Sequence, residues 1–224
     1  MILRHDRSDL DCLVNESDWP GVLSFFDGDG AGTLISPTWI LTAAHTARNI
    51  PPDHTVTIAG NHYQVARVII HPGNQLAPVQ PVDIALVELA KPVTNIVPFS
   101  LYEHADEQGQ EITLLGRGDY GNGLDGVQGT DHKLRRVTNL IDEVDDTWIK
   151  FRFNPPPDCT QLEGVAGEGD SGGPAFLLHK GQFFIAGVSS WQDHGDRPLG
   201  TYHCIEHYVR VARYAPWIRL TAGV

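Results

Sequence analysis

The sequence predicts an all-β protein of short strands and many turns, with one helix at the C-terminus. The 224 residues include 23 glycines and 15 prolines, and these residue types mark turns. Short segments such as Val82–Leu89 alternate apolar and polar side chains, which is typical of a strand. Near the C-terminus, Tyr214, Trp217 and Ile218 fall on one helical face, with Pro216 near the start of that helix.

The composition is that of an ordinary globular protein, because 41% of the residues are apolar and 20% are charged. The formal net charge of −12 argues against nucleic-acid binding, which needs a basic patch. It also argues against binding to an anionic membrane surface. No apolar run approaches the ~20 residues that span a bilayer, so we expect no nucleic-acid partner and no membrane partner.

The first half of the chain alternates between predicted strands and turns. The predicted strands are Val22–Phe26, Thr33–Ile35, Val56–Ile58, Tyr63–Ile70 and Val82–Leu89. Asp27–Gly30 forms a turn between the first two, and Pro78–Pro81 forms a stiff loop. A looser segment follows around Pro92–Leu101. We place a domain boundary there, which divides the chain into residues 1–100 and 101–224.

The second half of the chain again alternates between predicted strands and turns. Its predicted strands are Ile112–Leu115, Leu134–Ile141, Trp148–Phe153 and Phe183–Trp191. The second and third of these are expected to form a hairpin, joined by the acidic turn Asp142–Asp146. A loop over Gln192–Leu199 follows the last strand.

Two short motifs are rejected because of their context. Asp27–Gly30 begins like an EF-hand calcium loop, but Ala31 and Thr38 stand where such a loop needs oxygen ligands. Gly116–Gly121 has the spacing of a dinucleotide-binding turn, but further turn residues follow where a helix is required. The sequence therefore predicts no metal site and no cofactor.

The segment Gly167–Pro174 places Ser171 among four glycines and beside Asp170. Glycines allow turns that side chains forbid, and they let a substrate approach the backbone closely. A serine hydroxyl is a weak nucleophile at neutral pH, so it needs a base and donors for the oxyanion that it creates. A glycine-rich surface turn would be the better interpretation of a shorter match. The length of this one justifies a search for a base and an orienting acid.

Two residues could supply that base and acid. His45 follows an apolar strand that ends in small residues, and an imidazole suits a general base. Asp83 opens the apolar segment Val82–Leu89, where a carboxylate costs desolvation unless a donor such as an imidazole N–H bonds to it. Taken alone, each residue has a structural alternative: a hydrogen-bonded core histidine, and an aspartate that bonds to the backbone at the start of a strand.

Taken together, Thr42–His45, Asp83–Leu86 and Gly169–Pro174 resemble the chymotrypsin/trypsin family of serine proteases in their order and spacing. The resemblance extends over nearly the whole chain, through Gly32–Ser36, Val188–Trp191 and Tyr208–Val211. It is closest to a trypsin-like member of the bacterial type. The family's fold implies two six-stranded antiparallel β-barrels followed by a C-terminal helix.

The resemblance also implies a role for each residue of a serine endopeptidase site. Ser171 attacks the peptide carbonyl, His45 carries the proton, and Asp83 orients the histidine and stabilises its charged form. The first barrel supplies His45 and Asp83, and the second supplies Ser171. The N–H groups of Gly169 and Ser171 form the oxyanion hole.

The substrate-binding residues that the resemblance implies are Ser190, Trp191 and Gln192 along the substrate backbone, with Val165, Ala166 and Glu206 around the pocket. Trypsin-like members place an aspartate at the floor of the specificity pocket, where this chain has Val165. The acidic floor of a trypsin-like pocket is therefore missing. Glu206 aligns with a wall position where an acid can recruit basic side chains, and Gln192 replaces a small residue at the entrance. We expect a mixed or apolar preference slightly ahead of a Lys/Arg preference. A solvated loop residue is the alternative interpretation of Glu206.

The start of the chain departs from the family, whose mature form begins Ile-Val-Gly-Gly and pairs its freed amine with the aspartate before the nucleophile. Ile2 lies at about the corresponding distance before His45. The resemblance therefore predicts a mature chain that begins at Ile2 and pairs its amine with Asp170. In that interpretation Met1 stands in place of a removed leader. The alternative partner of Asp170 is Arg4.

The three cysteines also depart from the family's pattern. The usual pair beside the histidine is absent, since Gly30 and Thr46 occupy those places. We expect Cys159 and Cys204 to lie on adjacent loops, where they could form a disulfide and leave Cys12 free.

The resemblance implies a protein or peptide substrate, with protein inhibitors as further partners of a monomeric enzyme. It also implies a secreted or periplasmic location. Two other functions stay open: a non-catalytic binding module with this fold, and an esterase that uses the same nucleophile. The presence of all three catalytic residue types favours the peptidase over the binding module.

Overall fold

A computed structural model describes residues 1–74 and 82–224. The strands are, in chain order, β1 (Ile2–Leu3), β2 (Val22–Phe25), β3 (Gly30–Ser36), β4 (Trp39–Thr42), β5 (Thr55–Ile58), β6 (Asn61–Ile70), β7 (Ala85–Leu89), β8 (Ser100–Leu101), β9 (Glu111–Gly116), β10 (Tyr120–Asn122), β11 (Gly126–Gly129), β12 (Arg135–Leu140), β13 (Glu143–Val144), β14 (Trp148–Arg152), β15 (Gly164–Val165), β16 (Pro174–His179), β17 (Gln182–Asp193) and β18 (Ile205–Arg210). The α-helices are α1 (Ala44–Ala47) and α2 (Val211–Ala222), and short 3-10 helices cover Asp9–Asp11, Glu16–Asp18, Phe26–Gly28 and Pro72–Asn74. The predicted loop Pro78–Pro81 lies outside the described residues.

Six strands of the first half form one antiparallel sheet in the order β2-β3-β4-β7-β6-β5. Apolar side chains from neighbouring strands, among them Leu34, Ile40 and Val87, pack into a buried core. Strand β4 pairs with β7 so that Thr42 lies opposite Ala85. This pairing brings the residues that follow Thr42, among them His45, to the same edge of the sheet as the residues that precede Ala85, among them Asp83.

Eight strands of the second half form another sheet, in the order β12-β9-β16-β17-β18-β14-β13, with β8 pairing to β17 in parallel. Its core contains large buried side chains such as Phe151, Leu177 and Tyr208. The turn that carries Ser171 lies between β15 and β16, directly before the strand that pairs with both β9 and β17.

The two residues of β1 form part of a small third sheet in the order β11-β10-β1-β15. Ile2 lies opposite Gly121 of β10 in parallel and opposite Val165 of β15 in antiparallel orientation. Both partners belong to the second half of the sequence. The first residues of the chain are therefore held against the region that precedes Ser171.

The predicted fold class is confirmed: the second-half sheet is barrel-like, the first-half sheet forms half a barrel, and a short helix ends the chain. The division at residue 100 into two domains stays a prediction. Helix α2 begins at Val211, so Pro216 lies inside the helix rather than near its start. No helix within the described residues is long and apolar enough to cross a membrane.

The predicted hairpin of Leu134–Ile141 with Trp148–Phe153 is wrong. Strand β12 pairs with β9, whereas β14 pairs with β18 and with the two-residue strand β13. Strand β13 lies within the segment that we expected to be only a turn. The tight turn after it is fixed by Asp145, whose Oδ1 accepts hydrogen bonds from the N–H groups of Thr147 and Trp148, both at 2.8 Å. Strand β14 therefore pairs with the nearby β13 at one edge of the sheet, whereas β12 pairs with β9 at the opposite edge.

All three cysteines are free thiols, so the expected bridge between Cys159 and Cys204 is not present. Cys12 and Cys204 are buried, and burial raises the pKa of the Cys12 thiol to about 11. Buried thiols of this kind behave as small apolar side chains.

Candidate active site

Asp83 and His45 form a hydrogen-bonded pair at the edge where β4 and β7 meet. Oδ1 of Asp83 accepts from the backbone N–H of His45 at 2.8 Å, and Oδ2 lies 2.6 Å from ring Nδ1 of the same histidine. An ionised carboxylate can only accept, so Nδ1 carries the hydrogen. The other ring nitrogen, Nε2, is then the basic one.

Strand β4 and helix α1 position the histidine. The backbone leaves β4 at Thr42 and enters a one-turn helix at Ala44, with small buried alanines on either side of the turn. Bulky residues there would hold the helix away from β7, so the alanines allow the close approach. The His45 side chain is 42% exposed and the Asp83 side chain only 11% exposed. The ring therefore has one face in solvent and one edge held by a buried acid.

A third donor completes the environment of Asp83. The hydroxyl of Ser190 donates to Oδ2 at 2.6 Å. Burial by itself raises the pKa of the Asp83 carboxyl, but the hydrogen bonds from His45 and Ser190 outweigh burial and leave that pKa below its usual value. Asp83 is therefore ionised at neutral pH and can stabilise a positive charge on the imidazole.

Ser171 lies against the same helix. Its carbonyl oxygen accepts from the backbone N–H of Ala31 at 2.7 Å and from the hydroxyl of Thr46 at 3.3 Å. Thr46 is the residue after His45, so this contact joins the serine turn to the histidine helix. In the described part of the chain, no hydrogen bond joins the Ser171 hydroxyl to the His45 ring. Catalytic hydrogen bonds of this kind are often long without substrate and shorten only when it binds.

The turn before Ser171 leaves two backbone N–H groups available to a ligand. Gly169 has a φ of +90°, which only glycine adopts readily, and a Cβ atom there would lie 2.4 Å from the carbonyl oxygen of Gly28. The N–H groups of Gly169 and Ser171 have no hydrogen-bond partner among the described residues. Two backbone donors next to a nucleophile can hold an oxyanion.

Asp170 is fully buried and is surrounded by donors. Its Oδ2 lies 2.8 Å from the α-amino group of Met1, which makes a second hydrogen bond of 2.6 Å to the carbonyl of Asp119. Backbone N–H groups of Gly118 and Gly167 also donate to its carboxylate, at 2.7 and 2.9 Å. In the chain that begins with Met1, the amine that pairs with Asp170 is that of Met1, and a mature chain that begins at Ile2 stays a prediction. The alternative partner, Arg4, instead pairs with Asp6.

A cavity of about 190 Å³ lies beside Ser171. Five of the six residues predicted to bind substrate line it: Ala166, Ser190, Trp191, Gln192 and Glu206. Val165 is the exception, because its fully buried side chain packs in the core with Ile2 and the residue pairs with Ile2 across β15 and β1. The floor of the cavity is therefore not formed by Val165.

The wall of this cavity contains a buried acid. Glu206 is 1% exposed, and burial raises the pKa of its carboxyl to about 8, although hydrogen bonds from Gln192 and from the N–H of Ala166 act in the opposite direction. At neutral pH the group is mostly protonated. The alternative interpretation of Glu206 as a solvated loop residue is therefore wrong.

Trp191 forms an exposed edge of the cavity. Its ring stacks on His207 with a centroid distance of 3.8 Å and an interplanar angle of 12°. The side chain remains 46% exposed. A large flat surface held in this way can support an apolar part of a substrate.

The sequence analysis missed two features of the site: the contact of Thr46 with Ser171 and the bond from the Ser190 side chain to Asp83. Ser190 was assigned only to substrate binding. It lies where the pairing of β17 with β18 shifts register, between Ser189 and Trp191. Such a bulge redirects side chains, and no residue pattern in the sequence predicted it. Thr46 carried a signal, since it occupies a place where the family has a cysteine.

The comparison with protein families agrees with this geometry. The Trypsin family model matches residues 11–218. This range includes strands β2 to β18, most of helix α2, and the three residues His45, Asp83 and Ser171. The matched range covers most of the 224 residues. The fold is the double barrel of chymotrypsin-like proteins, and the chain belongs to the trypsin family of serine proteases.

Proposed function

We propose that this protein is a serine endopeptidase that hydrolyses peptide bonds through an acyl-enzyme, with Ser171, His45 and Asp83 as the catalytic triad. The observation that carries the proposal is the double hydrogen bond from His45 to Asp83, on a helix that also contacts Ser171. Together these contacts can fix the tautomer of the histidine and the position of its free nitrogen.

The first half of the reaction forms the acyl-enzyme. Ser171 Oγ attacks the carbonyl carbon of the substrate while Nε2 of His45 takes the hydroxyl proton. The C–O bond forms and the carbonyl oxygen becomes an oxyanion. Collapse of the tetrahedral intermediate breaks the C–N bond, and His45 gives its proton to the departing amine. Asp83 stabilises the imidazolium that exists between these two steps.

The second half returns the enzyme to its starting state. Water replaces the amine, His45 takes a proton from that water, and the resulting hydroxide attacks the ester carbonyl. Breakage of the ester bond releases a carboxylic acid and restores the Ser171 hydroxyl with the proton held by His45. The N–H groups of Gly169 and Ser171 stabilise the oxyanion in both halves, where loss of one donor typically costs ~10²–10³ in rate.

The amine on Asp170 supports this arrangement. An ion pair at Asp170 fixes the residue between the two proposed oxyanion donors, and the donated bonds from Gly118 and Gly167 add to it. We propose that the α-amino group of the mature chain, predicted to be that of Ile2, pairs with Asp170 in the same way. The exposed edge at Ser190–Gln192 is proposed to pair with the substrate backbone, as an added strand does.

A serine-reactive fluorophosphonate probe tests the proposal. The wild-type protein should incorporate one equivalent of probe at Ser171 and cleave casein. A Ser171→Ala variant should lose both reactions, whereas Ser17→Ala, on an exposed 3-10 helix, should retain both. Casein cleavage by Ser171→Ala at the wild-type rate would exclude the triad. A folded protein that neither reacts nor cleaves would favour the binding module, and hydrolysis of esters but not of peptides would favour the esterase.

Trypsin-like proteases act on protein substrates and are commonly secreted. We propose a protein or peptide substrate, protein inhibitors as further partners, and a secreted or periplasmic location for this chain. We also propose that it acts as a monomer. Size-exclusion chromatography with light scattering would test the last point, and fractionation of the producing cells would test the location.

A further inference from the structure

The side chains of Gln192 and Glu206 meet in the cavity beside Ser171. The two residues lie directly opposite each other where β17 pairs with β18, so their side chains share one face of the sheet. Nε2 of Gln192 donates to Oε1 of Glu206 at 2.7 Å. At the other end of the same amide, Oε1 of Gln192 accepts from the backbone N–H of Gly200 at 2.8 Å. The Gln192 amide is therefore fixed at both of its polar atoms.

Glu206 has polar partners but no cationic side chain next to it. Its Oε1 accepts from Gln192 and from the N–H of Ala166 at 3.1 Å. Among the ion pairs of the described residues, none involves Glu206. The charged groups that influence it are Asp170 and the α-amino group at position 1. A carboxyl group buried in this way stays neutral at pH 7 unless a cation reaches it.

The cavity is small compared with others on the same molecule. Its volume of about 190 Å³ is less than half of the 460 Å³ found in the cavity between Phe99 and His179. The Gln192 amide lines this cavity and bridges Glu206 on the opposite strand to the backbone N–H of Gly200. A long side chain that entered here would have to displace this amide and leave Glu206 with one hydrogen bond fewer.

We infer that Gln192 determines specificity by covering Glu206, so that the cavity accepts only small uncharged side chains at the substrate residue before the cleaved bond. This inference rests on the proposed peptidase function. It narrows the mixed or apolar preference expected from sequence to glycine, alanine and serine. It also assigns Glu206 a second role: once Gln192 is removed, the exposed carboxyl can pair with a lysine or arginine of the substrate.

Energetics support a change of this size. Displacement of the amide breaks two hydrogen bonds and leaves the buried N–H of Gly200 without a partner. The loss of such a partner corresponds to a factor of roughly 5–150 in the rate constant kcat/KM. Removal of the side chain eliminates this cost. A cation that enters the opened cavity meets a carboxyl group, and such a pair favours the ionised acid.

Hydrolysis of a peptide series that differs only in the residue before the cleaved bond tests the inference. For the wild type, we expect kcat/KM to be at least tenfold higher with alanine than with arginine or phenylalanine. Gln192→Gly should raise the arginine-to-alanine ratio at least tenfold. The double variant Gln192→Gly/Glu206→Gln should lose the gain for arginine and keep any gain for larger neutral residues. Gln161→Gly, at an exposed glutamine of another cavity, should leave all ratios unchanged.

A binding experiment separates this inference from the proposed function. Benzamidine carries a fixed cation of about the size of an arginine head group, and its binding can be measured by calorimetry in a Ser171→Ala background, where no reaction occurs. We expect binding at least tenfold tighter when Gln192→Gly is added, and loss of that gain when Glu206→Gln is also present. Gln192→Ala serves as a second opening variant, and thermal unfolding shows whether each protein is folded.

The outcomes are distinct. Cleavage by the wild type with ratios that Gln192→Gly does not change would overturn the inference and leave the peptidase proposal intact. A wild type that prefers arginine would also overturn it. Absence of cleavage, together with benzamidine binding that follows Gln192 and Glu206 as expected, would support the inference about the cavity and refute the catalytic function.

Discussion

His45 and Asp83 share two hydrogen bonds that end on different oxygens of the carboxylate, one from the backbone N–H at 2.8 Å and one from ring Nδ1 at 2.6 Å. The backbone bond holds the first turn of helix α1, in which His45 is the second residue. The ring bond selects the tautomer of the histidine. Because one side chain does both, the orientation of the imidazole is tied to the position of the helix that carries it.

Asp83→Asn should preserve the shape of the site and remove its function. The amide offers two N–H donors where the carboxylate only accepts, so it favours a histidine with the proton on the wrong nitrogen. We expect kcat for a peptide substrate to fall by about 10³–10⁴-fold at pH 7, with KM nearly unchanged. Steady-state kinetics with active-site titration would measure this. A loss of less than tenfold would show that Asp83 does not orient the base.

Thr46→Val should weaken catalysis without affecting substrate binding. The variant keeps the volume of the side chain and removes the hydroxyl that donates to the Ser171 carbonyl at 3.3 Å. Loss of one such bond costs about 1 kcal/mol, so we expect roughly a fivefold fall in kcat and no change in KM. Thr46→Ser, which retains the hydroxyl, should restore the rate. Equal losses in both variants would indicate a packing role only.

Asp170→Asn should be more damaging than the loss of any exposed ion pair. Met1 and Asp170 are 1% and 0% exposed, and removal of one partner from a buried pair typically costs about 3–5 kcal/mol. We expect a fall of this order in the free energy of unfolding and at least a hundredfold loss of kcat. Glu103→Gln, which breaks the exposed pair with Arg219, is the control and should cost less than ~1 kcal/mol. Similar values for the two variants would contradict the buried role.

Glu206→Gln should stabilise the protein near pH 8 and not at pH 4. The pKa of Glu206 is raised from 4.5 to about 8 in the fold, so the folded state binds a proton that the unfolded state has released between these values. Stability therefore falls as the pH rises from 4.5 to 8. Glutamine keeps the hydrogen bonds and needs no proton. We expect a gain of up to roughly 3 kcal/mol at pH 7, measured by urea unfolding across pH. A gain that does not vary with pH would count against the assignment.

The residues with strong local signals were the ones that sequence could identify. Ser171 lies in a glycine-rich segment, His45 at the end of an apolar strand and Asp83 at the start of another, so each is recognisable within a few neighbouring residues. The pairing of Thr42 with Ala85 then brings two of them together. The all-β architecture followed from the same strand and turn signals.

Long-range register was beyond sequence reasoning. Strands β12 and β14 are close in the chain and read as a hairpin, but the main partner of β14 is β18, far along the sequence. Met1 and Ile2 are both apolar and both buried, so their side chains give no signal for which of them begins the mature chain.

Gly30 and Thr46 lie in contact at the two places where the family resemblance implied a pair of cysteines. A Cβ atom at Gly30 would lie 2.7 Å from the Thr46 methyl group, and all three cysteines of the chain are free. Noncovalent packing alone thus ties the histidine helix to strand β3. The active centre should consequently keep full turnover in strong thiol reductants such as dithiothreitol. A change in the redox state of the surroundings is therefore expected to leave its catalytic groups in place.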